Sequence, residues 1–204
     1  IDFLLYAKEL YTLTNGEMNI MMGSVLRIWH DCREEGTRIP TNEELQEAAL
    51  HTSIDLLEID VQNQTVRISD PKASIDVGAL GKGYATEKAA KHLESIGATS
   101  YVLNIGGNIR IIGTKPDGSG WKTGIQNPAN PSTYSKYLML ANISCVTSGN
   151  YERYYTVNGV GYHHIIDPET LMPSYRYLSV SVQTGDSGVA DALSTAIFNM
   201  DYEK

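Results

Sequence analysis

Two oxygen-bearing side chains are spaced so that they can share a metal ion. Asp191 and Thr195 stand four residues apart in a segment predicted to be helical from about residue 188 to residue 200, and residues i and i+4 lie on one face of a helix. A carboxylate and a hydroxyl are hard oxygen ligands of the kind Mg²⁺ prefers, and so sparse a set suits a cation that also binds phosphate. The alternative is that Asp191 favours the positive end of the helix dipole while Thr195 bonds to a backbone carbonyl.

A glycine-rich turn is the second candidate. Residues 78–83, Gly-Ala-Leu-Gly-Lys-Gly, follow Asp76 and lead into a predicted helix. Such a turn presents backbone N–H groups and the positive helix end to an anion, and Lys82 adds a point charge. It is not a P-loop, because Gly83 stands where that motif has a metal-binding hydroxyl. A plain strand-to-helix turn is the competing interpretation.

The adjacent residues His163 and His164 supply a candidate general base. Neighbours on a strand point to opposite faces, so at most one of them enters a given cleft. An imidazole that titrates near neutrality can accept a proton during catalysis. Two structural histidines followed by an Asp167-Pro168 turn are the commoner arrangement.

Two further motifs are weaker. The paired glycines within residues 104–109, Asn-Ile-Gly-Gly-Asn-Ile, suggest a bulge, or a place where a ligand or a second backbone approaches closely. Residues 148–153, Ser-Gly-Asn-Tyr-Glu-Arg, are predicted to form a turn that enters a hairpin.

Hairpins with a few helices between them must position these residues, which predicts an α+β fold. Helices are expected after Asp2, from a capping box at Thr41 to about Leu50, over 84–96 and over 188–200. Strands are expected at 57–60, 65–69, 73–77, 101–105, 109–112, 121–126, 136–141, 143–147, 154–157, 160–166 and 178–182. Asn158-Gly159 is a strong signal for a two-residue hairpin.

Charge and composition exclude some functions. The 204 residues include 16 Lys+Arg and 24 Asp+Glu, a net charge of −8. Without basic clusters, nucleic-acid binding is not expected, and no apolar run approaches the ~20 residues of a membrane span. An anionic ligand therefore needs a bound cation or backbone amides. Cys32 and Cys145 are interpreted either as buried thiols or as one disulfide.

Taken in order, these segments resemble the ApbE family, the FAD:protein FMN transferases. The resemblance rests on Gly16-Glu17-Met18-Asn19 with Leu26 and Trp29, and on residues 76–85, 104–109, 147–153, 164–168 and 190–196. It spans nearly the whole chain. Two departures are Asn19, where the family usually has Asp, and Leu171, where it usually has Gly.

The resemblance implies an α+β fold of mixed, largely antiparallel sheets with flanking helices, an ApbE-like (T-fold-like) architecture with a central pair of sheets. Residues 1–204 are expected to form a single domain truncated at the N-terminus and at the C-terminus. In the full-length protein we expect an extracytoplasmic, membrane-tethered lipoprotein, by analogy with the family.

The activity implied by the resemblance is Mg²⁺-dependent transfer of FMN from FAD to a Thr or Ser hydroxyl of an acceptor flavoprotein, with release of AMP. The acceptor is expected to be a protein such as a subunit of a membrane redox complex. A Mg²⁺-dependent FAD pyrophosphatase that gives free FMN and AMP is one alternative, and a non-catalytic FAD-binding protein is another. A nucleoside triphosphatase built on residues 78–83 is disfavoured by the missing hydroxyl after Lys82.

Residue roles also follow from the resemblance. Asp191 and Thr195 are the implied side-chain metal ligands, with the main-chain carbonyl of Ala79 as a third. His164 is the implied base for the acceptor hydroxyl. FAD contacts are implied for six residues: Glu17, Met18, Asn19, Asp76, Lys82 and Ile166.

Overall fold

The computed structural model describes residues 1–203, which form two compact units. The first unit comprises Ile1–Val77, Glu152–Arg176 and the chain end from Asn199 onward. The second comprises Gly78–Tyr151 and Tyr177–Phe198. Each unit therefore contains segments that are distant in the sequence.

The first unit packs helices against two hairpins. Its elements are α1 (Asp2–Leu13), α2 (Gly23–Glu35), α3 (Asn42–Ala49), a 3₁₀ turn (Ile54–Leu56), β1 (Leu57–Asp60) paired with β2 (Thr65–Ile68), and β8 (Tyr154–Val157) paired with β9 (Val160–His163). The apolar faces of α2 and α3 meet in a core that includes Val25, Trp29, Leu45, Ile166 and Leu171. Trp29 satisfies its indole N–H there by donating to the Leu171 carbonyl at 2.9 Å.

The second unit is built on a four-stranded antiparallel sheet in the order β10-β7-β4-β3. Its elements are α4 (Gly81–Ser95), β3 (Tyr101–Ile105), β4 (Asn108–Ile112), β5 (Trp121–Gln126), β6 (Tyr134–Leu140), β7 (Ile143–Gly149), β10 (Ser179–Thr184) and α5 (Ser187–Asn199). The strands β5 and β6 form a separate hairpin. A buried ion pair between Glu87 of α4 and Arg110 of β4 (3.1 Å) links helix and sheet.

Local signals in the sequence predicted several elements correctly. The Thr41 capping box is confirmed, with Thr41 Oγ1 accepting from the Glu44 amide and the Glu44 carboxylate accepting from the Thr41 amide. The Asn158-Gly159 turn between β8 and β9 is also confirmed, and both residues have the positive φ that two-residue hairpin turns require.

Other expectations were wrong. Residues 73–77 are not a strand, because only Ser74 pairs, in a single parallel bridge to Met22. Gly106-Gly107 is not a bulge but the tight turn of the β3–β4 hairpin, with φ of 58° and 86°. The fold class itself is confirmed: helices flank sheets that, among residues 1–203, are all antiparallel. Helix α2 was not predicted as an element.

Both cysteines are buried free thiols, which settles the choice between thiols and a disulfide. Burial raises the pKa of each thiol, so neither is an activated thiolate.

Within residues 1–203, no helix combines the length and the apolar character that a membrane crossing requires.

Leu171 occupies a left-handed backbone conformation, with φ of +61°, in the turn where the family usually has Gly. The turn forms nonetheless, because Asp167 accepts the amides of Glu169 and Thr170 at its side chain and the Leu171 amide at its carbonyl. The Leu171 side chain is 4% exposed and packs in the apolar core. Burial of this side chain therefore offsets an unfavourable backbone.

We expect Leu171→Gly to be more stable than Leu171→Ala by about 1 kcal/mol, although Gly has fewer atoms to pack. Both variants lose the buried leucine at a cost of about 2–5 kcal/mol, but only Gly removes the strain of a positive φ. Leu45, 2% exposed and within α3, is the matched control. There the order must invert, with Gly less stable than Ala by about 1 kcal/mol. Urea unfolding of the four variants measures both differences, and the same order at both positions would contradict the strain.

Candidate functional site

Asp191 lies in the second turn of α5, whose start is fixed by a capping aspartate. Asp186 Oδ1 accepts from the amides of Gly188 and Val189, at 2.8 and 3.1 Å. The N-terminal turns of α5 lie against Gly83 of α4. A Cβ atom at Gly83 would be 2.4 Å from the Ser187 carbonyl oxygen and 2.5 Å from Asp191 Cβ, so only glycine permits this approach.

The Asp191 carboxylate is buried with little compensation for its charge. It is 4% exposed, and Oδ2 accepts one hydrogen bond from the Gly83 amide, at 2.8 Å. Burial raises the pKa of Asp191 from 3.8 to about 6, against the opposing effects of the Gly83 amide, Lys82 and Asn108. A carboxylate has about four lone-pair sites, so Asp191 retains acceptor capacity that a cation can use.

Hydroxyl groups surround the next turn of α5. Thr195 shares the face of Asp191, as the spacing predicted, and its Oγ1 lies 3.4 Å from Ser148 Oγ of β7. Ser148 also lies 2.8 Å from Ser194 Oγ, which in turn donates to the Asp191 carbonyl at 2.9 Å. Ser148 had been assigned only to a turn. The signal available in the sequence was that Ser148 belongs to the segment 147–153, one of those that carry the family resemblance.

The glycine-rich turn is the start of α4, three residues earlier than predicted. The helical ladder begins with the Tyr84 amide donating to the Leu80 carbonyl, so the Ala79 carbonyl lies outside it. The N-cap residue Leu80 provides no side-chain cap. The Gly83 amide donates to Asp191, and the helix amides before it can bind an anion. Lys82 is exposed beside them, and its charge acts on Asp191.

The donors of this region fit a hard divalent cation. They are carboxylate and hydroxyl oxygens, the ligand type of Mg²⁺. Within residues 1–203 no cluster of three or more His, Cys, Asp or Glu side chains could hold a metal. A cation at Asp191 and Thr195 would therefore complete its coordination with oxygens of a bound ligand, as the sparse sequence pattern suggested. The Ala79 carbonyl as a third ligand stays a prediction.

The first unit holds the other residues for which FAD contacts were predicted. Asn19 is fixed by two bonds, from its Nδ2 to the Thr52 carbonyl and to its Oδ1 from the Met21 amide, both 2.9 Å. The Asp76 amide donates to the Ile20 carbonyl at 2.8 Å, which brings the Glu17–Asn19 stretch and Asp76 to neighbouring chain segments. Their contact with FAD stays a prediction.

Met18 and Ile166 are core residues of the first unit. Met18 is 1% exposed and Ile166 is 7% exposed. The Ile166 carbonyl accepts from Asn199 Nδ2 at 3.3 Å. Neither side chain is on the surface, so a contact of either residue with a ligand would involve backbone atoms.

The two histidines have different environments. His163 is buried, its Nε2 donates to the Ser174 carbonyl at 2.7 Å, and its Nδ1 accepts from the Ile165 amide, so both ring nitrogens are used. His164 is half-buried, and its Nδ1 lies 3.2 Å from the Arg153 carbonyl. Since a carbonyl only accepts, Nδ1 of His164 carries the hydrogen and Nε2 the lone pair. Burial lowers the pKa of His164 to about 4, below the near-neutral value expected from the sequence.

Comparison with known proteins shows the family of the chain. The ApbE family model matches residues 1–204. The chain belongs to the ApbE family. It is 30% identical to the FAD:protein FMN transferase of Haemophilus influenzae, over 97% of this chain and 59% of that protein. Identity to the transferase of Vibrio cholerae is 31%, over 97% and 60%.

The ApbE fold is shown by structure as well. The crystal structure of the ApbE protein from Thermotoga maritima superposes with a TM-score of 0.90 at 35% identity, covering 98% of this chain and 64% of that one. The chain spans about three fifths of the length of the curated ApbE relatives it matches.

Asp191 should make the metal-free ApbE domain less stable as the pH rises. Its folded pKa of about 6 exceeds the unfolded value of 3.8, so the folded state binds more protons between these values. The contribution of Asp191 to the free energy of unfolding is most favourable below pH 4. It is lost as the pH rises through 6, a change of about 3 kcal/mol. Urea unfolding in EDTA should show Asp191→Asn to be more stable than wild type at pH 7.5 and similar at pH 4.

Added Mg²⁺ is the control for this measurement. It should recover stability of the wild type at pH 7.5 and leave Asp191→Asn unchanged. If the free energies of unfolding of wild type and Asp191→Asn depended equally on pH in EDTA, the uncompensated burial of Asp191 would be contradicted.

Proposed function

We propose that this protein is a Mg²⁺-dependent FMN transferase that cleaves the pyrophosphate of FAD, attaches FMN to a Thr or Ser hydroxyl of a flavoprotein and releases AMP. The observation that carries the proposal is the bond from the Gly83 amide to Asp191 Oδ2. It joins the start of α4, which suits a phosphate, to the carboxylate and hydroxyl of α5, which suit a cation. The curated relatives are named FAD:protein FMN transferase.

The residues of the second unit hold and orient the phosphates. Asp191 and Thr195 would hold Mg²⁺, which when bound neutralises pyrophosphate charge and stabilises the leaving phosphate. The uncapped amides of α4 and the charge of Lys82 bind anionic oxygens on their own account. The backbone amides are fixed by the helix and are in place before the ligand binds.

His164 of the first unit has the protonation state that a general base needs. With a pKa of about 4 its imidazole is neutral at pH 7, and the Arg153 carbonyl fixes the tautomer that leaves a lone pair on Nε2. We assign to Nε2 the removal of the proton from the acceptor hydroxyl. His163 has no lone pair free for this role.

The acceptor and the location belong to the same proposal. A flavoprotein subunit of a membrane redox complex is the proposed acceptor, and a lipoprotein anchored outside the cytoplasm is the proposed form of the full-length protein. Both rest on the family resemblance alone.

Incubating the protein with FAD, Mg²⁺ and an acceptor domain tests the proposal. We expect covalent flavin on the acceptor and AMP in equal amounts, detected by in-gel fluorescence and chromatography. Asp191→Asn should lower the rate by about 10² or more, and Thr195→Val should lower it more than Thr195→Ser, which keeps the hydroxyl. Free FMN without labelled acceptor would indicate the FAD pyrophosphatase, and bound but intact FAD the non-catalytic FAD-binding protein. ATP turnover that FAD does not affect would support the triphosphatase.

His164→Asn should slow transfer by about 10²–10⁴ at pH 7, because it removes the proton acceptor, while Mg²⁺ affinity stays unchanged. In wild type the rate should fall only as the pH approaches about 4, where the imidazole becomes protonated. The exposed His92 of α4 provides the control, since His92→Asn should transfer at the wild-type rate. A wild-type rate in His164→Asn, measured under single-turnover conditions, would exclude the assignment.

A further inference from the structure

Asn108 is a fully buried polar side chain of the second unit to which the proposed chemistry gives no role. It is the first residue of β4, directly after the Gly106-Gly107 turn, and its exposure is 0%. Its Oδ1 accepts a short hydrogen bond from the Ser187 hydroxyl at the start of α5. Both groups belong to elements that also position Asp191, four residues after Ser187.

The other end of the Asn108 amide has no hydrogen-bond partner among the described residues. A carboxamide has an acceptor at one end and two donors at the other. In the structure the Oδ1 end faces the Ser187 hydroxyl, so Nδ2 is the end without a partner. A buried donor without a partner destabilises the fold, because its lost hydrogen bonds to water are not replaced. Such a donor is therefore retained for a reason other than the stability of the metal-free fold.

The Asp191 carboxylate is the group of the proposed metal site that the Asn108 side chain approaches. The Asn108 side chain lies close enough to Asp191 to favour its ionised form, although Nδ2 completes no hydrogen bond with it in the structure. The Gly83 amide already occupies one site on Oδ2. A second donor from β4 would leave about two of the four acceptor sites of the carboxylate for a cation.

We propose that Asn108 is a positioning residue of the metal site, with Nδ2 donating to the Asp191 carboxylate once a divalent cation is bound. The amide then orients the carboxylate from the side of β4 as the Gly83 amide does from the side of α4. This inference rests on the metal site of the proposed function and not on FMN transfer. The ligand class is a hard divalent cation, for which Mg²⁺ is the probe.

A purely structural role for Asn108 predicts something different. In that case its contribution would be the bond to Ser187, which anchors the start of α5 to β4. Ser187→Ala removes this bond and keeps Nδ2, whereas Asn108→Leu removes the bond and Nδ2 together. The two variants therefore separate anchoring of α5 from donation to Asp191.

Isothermal titration with Mg²⁺ at pH 8, without FAD, tests the proposal, with urea unfolding of each metal-free protein as a second readout. We expect both variants to unfold at lower urea by comparable amounts. Asn108→Leu should lose at least tenfold in Mg²⁺ affinity, and Ser187→Ala less than threefold. Asn104→Ala, in the same motif but at an exposed residue whose Oδ1 accepts from the Gly107 amide, should bind Mg²⁺ like wild type.

Equal losses of affinity in Asn108→Leu and Ser187→Ala, or no loss in Asn108→Leu, would overturn the role of Asn108 and leave the metal site intact. Absence of Mg²⁺ binding in wild type, both without FAD and with FAD present, would overturn both. Should leucine prevent folding, Asn108→Ala removes the same donor with a smaller side chain, and the same tenfold loss is expected.

Discussion

The second unit depends on the burial of one carboxylate, that of Asp191, against the start of another helix. The Gly83 amide bonds to its Oδ2 at 2.8 Å, and the approach that allows this bond excludes any side chain at position 83. That single bond does not offset the desolvation of the charge, as the raised pKa of Asp191 shows. The fold therefore maintains an incompletely compensated negative charge, which is the electrostatic condition for binding a cation.

Several elements hold α5 so that this charge stays in place. The Ser187 amide donates to Glu87 of α4, its hydroxyl donates to Asn108 of β4, and Glu87 also pairs with the buried Arg110. Helix α4 and the central strand β4 thus meet at one residue, four positions before Asp191. A site on α5 is consequently supported by regular elements and not by loops, which favours fixed ligand geometry.

The sequence revealed local features and missed those that depend on distant contacts. The Thr41 capping box, the Asn158-Gly159 turn and the i, i+4 pair on α5 are properties of a few neighbouring residues, and each was correct. Helix α2 begins at Gly23, and its N-cap residue Met22 provides no side-chain cap, so no start signal existed. Residues 73–77 alternate like a strand, but only Ser74 pairs, in one bridge to Met22 from the distant start of α2. Burial of His164 lowered a pKa that composition alone cannot predict.

The sparseness of the metal ligands has a thermodynamic consequence for the proposed function. Because Asp191 and Thr195 provide few of the oxygens that Mg²⁺ requires, the remaining positions fall to water or to phosphate. Ligand phosphates at the start of α4 would then strengthen Mg²⁺ binding, and Mg²⁺ would strengthen ligand binding by the same factor. A second protein carboxylate beside Asp191 would remove this coupling by binding the ion tightly on its own. The neutral amide of Asn108 orients the carboxylate without adding charge, and so preserves a site that is complete only when its phosphate ligand is bound.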